Sequence, residues 1–136
     1  MRRALVLPLL LLAACAEPTT DEMTVKDARV AAPLGGRDVT AAYFTLSSGG
    51  APDALVAADS PEAGIIEIHR SSREGGIARM EKLDRLDIAK GDTVFERGGL
   101  HLMVFKLKPD ALADGEMEIT LEFDSGRTRT EAFRVE

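Results

Sequence analysis

The chain has only two histidines, His69 and His101, and each is followed at short range by a methionine, in the order His69-x10-Met80-x20-His101-x-Met103. Two imidazoles and two thioethers form a soft, uncharged donor set, which suits Cu(I) far better than Mg, Ca or Mn. Imidazole ligates only in its neutral form, so a metal held this way competes with protons. Taken singly, none of the four is diagnostic, because a lone His is commonly a hydrogen-bonded surface residue and Met commonly fills core gaps. The signal lies in both histidines having a methionine partner. Other chemistries lack their parts. A blue-copper carrier needs a Cys thiolate beside two His, whereas the single cysteine, Cys15, stands near the N-terminus. No CxxC or HxxxH spacing offers a closed zinc site. No Ser-His-Asp grouping, phosphate loop or catalytic carboxylate pair emerges either, so the chain does not read as an enzyme.

For the four residues to meet they must project from one face of a sheet. From residue 23 onward the apolar residues alternate, and Gly pairs at 35–36, 49–50, 75–76 and 98–99 punctuate the pattern, which predicts many short strands. Strands are expected over 25–30, 41–47, 54–58, 65–69, 77–83, 93–96, 100–107, 117–123 and 128–135. The run Met117-Glu118-Ile119-Thr120-Leu121-Glu122-Phe123 is the clearest, with every second side chain apolar. It also assigns Met117 to the core. Pro109 to Ala113 suits a single turn between strands. The fold class is all-β, closed as an antiparallel sandwich or Greek-key barrel, because so many short strands would otherwise leave long open edges.

Within that frame His101 and Met103 are two apart on one strand and share a face, with Leu100, Leu102 and Val104 on the other. His69 and Met80 flank Glu74-Gly75-Gly76, which suits a tight hairpin. With Glu74 and Gly75 in the loop they pair directly; with Gly75 and Gly76 they become diagonal neighbours. Both registers keep them on one face, whereas a loop of odd length would separate them, so the shared face depends on the turn type. Glu67, two residues before His69, reads either as an orienting partner for the imidazole or as a solvated charge.

The chain of 136 residues carries a formal charge of -6, with acidic residues scattered rather than blocked. That balance excludes nucleic acid as a partner, since phosphate binding needs clustered Lys and Arg. Its length supports one domain that buries its own core. The start is different: Met1-Arg2-Arg3 precedes an apolar run over 4–14 that is too short for a transmembrane helix, which needs about 20 residues, and fits a secretory signal. The run ends in Leu12-Ala13-Ala14-Cys15, which resembles the lipobox of bacterial lipoproteins and makes Cys15 the expected lipidation site. The expected organisation is a signal over 1–14, a lipidated tether over 15–22 and a folded domain over 23–136. The domain would hang in the periplasm from a membrane anchor. Ala16 rather than Asp after the cysteine resembles lipoproteins sent on to the outer membrane.

The ligand pattern, together with Ala42-Tyr43-Phe44-Thr45-Leu46, Glu67-Ile68-His69, Gly98-Gly99-Leu100-His101-Leu102-Met103, Leu107-Lys108, Gly115 and Leu121-Glu122-Phe123, resembles the PCuAC family of periplasmic copper chaperones, whose hallmark is His-x10-Met-x21-His-x-Met. The resemblance covers nearly all of the mature domain. It implies a cupredoxin-like β-sandwich holding Cu(I) through His69, Met80, His101 and Met103 in a shallow, exposed site. It further implies transfer of copper, directly or through a thioredoxin-like Sco partner, toward the binuclear site of cytochrome c oxidase, by a protein expected to be monomeric. The chain departs from the hallmark by one residue between Met80 and His101. Such a loss inverts faces if it falls within a paired strand and leaves them alone if it falls in a turn; the run Phe95-Glu96-Arg97-Gly98-Gly99 favours the turn. Arg70 follows His69 where some relatives have Met, and no second copper site is expected. The competing readings are an envelope lipoprotein that kept the fold but binds no metal, and a protein that sequesters copper with the same ligands.

Overall fold

A computed structural model of the chain describes residues 18–136; the leader expected over 1–14 and the lipidation site Cys15 lie outside them. Ten strands follow in order: β1 (Met23–Val30), β2 (Val39–Ser48), β3 (Asp53–Asp59), β4 (Ala63–Glu74), β5 (Ile77–Leu83), β6 (Leu86–Ile88), β7 (Gly91–Phe95), β8 (Leu100–Leu107), β9 (Glu116–Phe123) and β10 (Thr128–Val135). The only helical piece among the described residues is a 3-10 turn at Leu34–Gly36. The segment Pro109 to Ala113, expected to form one turn, lies in consecutive turns over 109–114, closed by Ala111 N–H to Lys108 and Ala113 N–H to Asp110.

The strands hydrogen-bond in the order β5-β4-β8-β7-β2-β1-β10-β9-β3-β6, with β2 also pairing β8 and β3 also pairing β4. The β3–β4 pairing, at Ala58 and Ile66, joins the strands next to each end of the series and closes the sheet on itself, leaving β5 and β6 at the margins. This is the expected cupredoxin-like, largely antiparallel β-sandwich. Two pairings are parallel, β1 with β10 and β7 with β8. Part of the segment expected as a tether is tied to the domain, with Thr20 N–H donating to Gly49, Ala51 N–H to Thr20 and Gly49 N–H to Glu22.

The core follows from the period-2 patterns. Met117, Ile119, Leu121 and Phe123 of β9 are buried, as are Phe44 and Leu46 of β2 and Leu102 and Val104 of β8. Phe44 stacks on Phe95 with ring centroids 4.1 Å apart and meets Phe133 edge-on at 5.6 Å. Each such ring contributes about 2–3 kcal/mol by leaving water, and aromatic pairs of these geometries add about 0.5–1.5 kcal/mol. Met23, the first residue of the expected domain, is a core residue at the start of β1.

Two elements differ from the sequence expectation. The strand β6 was not anticipated: three residues are too few for alternation to show, although Leu86 and Ile88 are both buried against β3. β4 runs to Glu74 rather than ending at His69. Its outer half, Arg70-Ser71-Ser72-Arg73-Glu74, has no apolar alternation and is held by the backbone ladder to β5, so no side-chain pattern marks it.

Candidate metal centre

The hairpin between β4 and β5 closes on Gly75 and Gly76, with Glu74 opposite Ile77. Both glycines have positive φ, 56° and 79°, as a two-residue hairpin turn requires at both positions and as a residue with a Cβ resists. Of the two registers open to the sequence, this turn selects the diagonal one: Ser71 faces Met80, and His69 faces Lys82. On its other side β4 pairs with β8, placing His69 directly opposite His101 and Glu67 directly opposite Met103. Directly paired residues share a face, as do residues two apart on a strand. His69, Met80, His101 and Met103 therefore lie on one face of three adjacent strands. Met80 and Met103 are each a diagonal step from His69, about 7–8 Å between backbones, a gap that long side chains can cross.

The face is unevenly covered. His69 and His101 are buried, at 8% and 5% exposure, whereas Met80 is 58% exposed and Met103 half-buried. The resemblance implies a shallow, exposed site; here only the thioethers approach solvent. The reason is that the imidazoles lie on the inner rows of the sheet and pack on each other, while Met80 rides the edge strand β5, which among the described residues pairs only with β4. The rings of His69 and His101 have centroids 5.6 Å apart at an interplanar angle of 62°, and Phe105 lies 6.3 Å from His69 on the same face.

The polar contacts of the two rings are specific. His69 Nε2 lies 2.8 Å from Glu67 Oε2, and Lys82 Nζ lies 3.4 Å from the other carboxylate oxygen, Oε1. The hydrogen bond from His69 holds the Glu67 carboxyl below its usual range, against the opposite push of burial, and Lys82 adds to the lowering. Glu67 is thus the orienting partner rather than a free surface charge. His101 Nδ1 lies 3.1 Å from the Gly99 carbonyl, which also accepts the Ser71 N–H at 2.9 Å. Among the described residues, His69 Nδ1 is buried without a hydrogen-bond partner. The Lys82 and Gly99 contacts escape a reading of the sequence until the hairpin register is fixed, after which Lys82 falls opposite His69.

Whether these residues fit a metal can be judged on the orphaned nitrogen and the ring separation. A buried acceptor without a donor costs about 1–3 kcal/mol, which ligation would relieve. Two imidazoles sharing one ion through bonds of about 2 Å have centroids about 5–6 Å apart, the range in which the pair lies. Among the described residues no three His, Cys, Asp or Glu side chains cluster as a metal site would need. A metal on this face would have to draw on thioether sulfur. The residues fit a soft monovalent ion.

The interval between Met80 and His101 contains the irregularity expected there. β7 and β8 lie end to end along β2, with Phe95 opposite Phe44 and Leu102 opposite Ala42. Between them Glu96 to Gly99 loops out, closed by Glu96 N–H to Leu100 and Gly99 N–H to Glu96. A residue can be gained or lost in such a loop without rotating His101 and Met103 off their face.

Comparison with known proteins adds the family. The LpqE-like lipoprotein family matches residues 23–135. The solution structure of Cu(I)-loaded DR1885 from Deinococcus radiodurans is 33% identical, covers 92% of this chain and 83% of that one, and superposes with a TM-score of 0.67. The copper-bound PCuAC domain from PmoF2, at 18% identity, covers 89% of this chain and 97% of that one with a TM-score of 0.69, and speaks to the fold alone. The uncharacterized protein RP573 of Rickettsia prowazekii (strain Madrid E) is 34% identical over 88 residues, 62% of this chain and 49% of that protein. The chain thus spans about half the length of this curated relative. Matched by one family model over nearly all its described length and by a one-third-identical relative over most of both chains, the protein belongs to the LpqE-like lipoprotein family and has the fold of PCuAC domains.

Proposed function

We propose that the protein is an extracytoplasmic Cu(I) chaperone, holding the ion through His69, Met80, His101 and Met103. The observation that carries this is the direct pairing of two buried imidazoles across β4 and β8, with both thioethers on the same face. The Cu(I) content of the one-third-identical DR1885 structure supports the same reading. All four donors are neutral, and Glu67 and Lys82 nearby offset each other, so the charge of bound Cu(I) is not cancelled by its ligands. Transfer to an acceptor with thiolate ligands is then favourable: two imidazoles and two thioethers are exchanged for soft, anionic sulfur that binds Cu(I) more tightly, and no electron moves. The acceptor is a copper subunit of cytochrome c oxidase or a thioredoxin-like Sco protein, and the donor acts as a monomer. Lipidation of Cys15 would hold it at the periplasmic side of a membrane, with Ala16 directing it to the outer membrane.

The test is a Cu(I) competition titration of the full chain against a chromophoric chelator, with His101→Ala and Met103→Ala alongside. The wild type competes and both variants compete less well; equal competition by all three proteins ends the ligand assignment. Delivery is tested separately by oxidase activity in a deletion strain under limiting copper. A defect is expected for a chaperone, and normal activity would leave sequestration as the role.

A further inference from the structure

We propose that the two histidines ligate Cu(I) through different ring nitrogens, His69 through Nδ1 and His101 through Nε2, and that Glu67 is the positioning residue that enforces this choice on β4. The inference rests on the copper reading above and adds to it the identity of the ligating atoms. An ionised carboxylate can only accept a hydrogen bond. With Glu67 Oε2 at 2.8 Å, His69 Nε2 must carry the ring proton, and in the neutral ring the free lone pair is then on Nδ1. That is the nitrogen left buried and unpartnered. At His101 the logic runs the other way round the ring. A backbone carbonyl also only accepts, so Nδ1, 3.1 Å from Gly99 O, carries the proton and Nε2 holds the lone pair.

Both partners are themselves fixed. Lys82 holds the second oxygen of Glu67, and Lys82 stands directly across from His69 in the β4–β5 ladder. The Gly99 carbonyl is pinned by the Ser71 N–H of β4. Each ring is thereby locked as a single tautomer before any metal arrives, one by a side chain and the other by main chain. Removing a carboxylate that supports a ligating imidazole in this way typically costs about 10–100-fold in metal affinity.

Long-range nitrogen-proton NMR on the 15N-labelled full chain, before and after one equivalent of Cu(I), tests this. Without metal, His69 is expected as the Nε2–H tautomer and His101 as the Nδ1–H tautomer. With Cu(I), the His69 Nδ1 and His101 Nε2 resonances shift while the protonated nitrogens keep their protons. In Glu67→Ala the single His69 tautomer is lost and Cu(I) affinity falls about 10–100-fold. Glu67→Gln, whose amide oxygen still accepts from Nε2–H, keeps the tautomer and the Nδ1 signature with a smaller loss. A Cu(I)-induced shift at His69 Nε2 overturns the proposal, as does Glu67→Ala behaving like wild type in both tautomer and affinity. The wild-type spectra decide the ligating nitrogen even if a variant fails to fold. If Cu(I) moves neither histidine, the chaperone reading falls; if it binds through the other nitrogen of His69, only this proposal does.

Discussion

Asp53 offers a sharp test of what holds the sandwich together, independent of the histidines. Its side chain is fully buried, with 0% exposure, at the start of β3. It accepts from the Ala54 N–H at 2.9 Å, the Ser125 N–H at 3.0 Å, the Ser125 hydroxyl at 2.7 Å and the Arg127 Nη2 at 2.9 Å. Burial pushes the carboxyl up, but these donors together outweigh it and bring its pKa from 3.8 down to about 2. A folded-state pKa below the unfolded one means that ionised Asp53 favours the native state. The contribution is fully present above the unfolded value of 3.8 and is lost as pH falls through about 2. The shift corresponds to about 2 kcal/mol at pH 7, of which about 1 kcal/mol is gone by pH 3. Asp53→Asn removes this increment. Urea unfolding at pH 7, 5, 4 and 3 should find the variant about 2 kcal/mol less stable at neutral pH, with the gap to wild type narrowing toward pH 3. Cu(I) competition at pH 7 should be unchanged, since Asp53's partners are none of the residues around the histidines. A gap that is absent at pH 7, or constant from pH 5 to pH 3, would refute the assignment of a stabilising carboxylate at this turn.

Two other outcomes follow from the packing and the strand register. Phe44→Ala removes a ring stacked on Phe95 and edge-on to Phe133 and should cost about 3–5 kcal/mol in denaturant unfolding; a loss under 1 kcal/mol would mean that this aromatic group is not the centre of the core. One glycine inserted between Arg97 and Gly98 should leave Cu(I) affinity within about threefold, because the loop absorbs it. The same insertion between His101 and Leu102 reverses every later side chain of β8 and should abolish tight binding, with competition titration reading both.

Most of the fold is legible in the chain because one face of most strands is buried, and alternation then encodes strand, face and core together. The segment 117–123 shows this fully, and 77–83, 100–107 and 128–135 are placed to the residue. What escapes the pattern has little side-chain signal. β6 is too short for a period to repeat, and the outer half of β4 is polar on both faces and specified by its ladder alone. The parallel β1–β10 and β7–β8 pairings depend on chain ends and loops meeting in space, which no local window contains. At the candidate centre, the shared face of His101 and Met103 follows from spacing, and that of His69 and Met80 from a two-residue glycine turn. The direct opposition of His69 and His101 does not, because the β4–β8 register is fixed by long-range packing. The burial of both rings is likewise a property of the assembled sheet.

The loop from Glu96 to Gly99 bears on how relatives are recognised. It joins two pieces of what is otherwise one continuous line along β2, so it acts as a slack joint whose length is free to drift while the geometry on either side stays put. A search that demands a fixed distance from the first methionine to the second histidine would treat such drift as loss of the motif. The invariant to look for is a pair of short signatures, His-x10-Met and His-x-Met, joined through a glycine-bearing hinge of adjustable span.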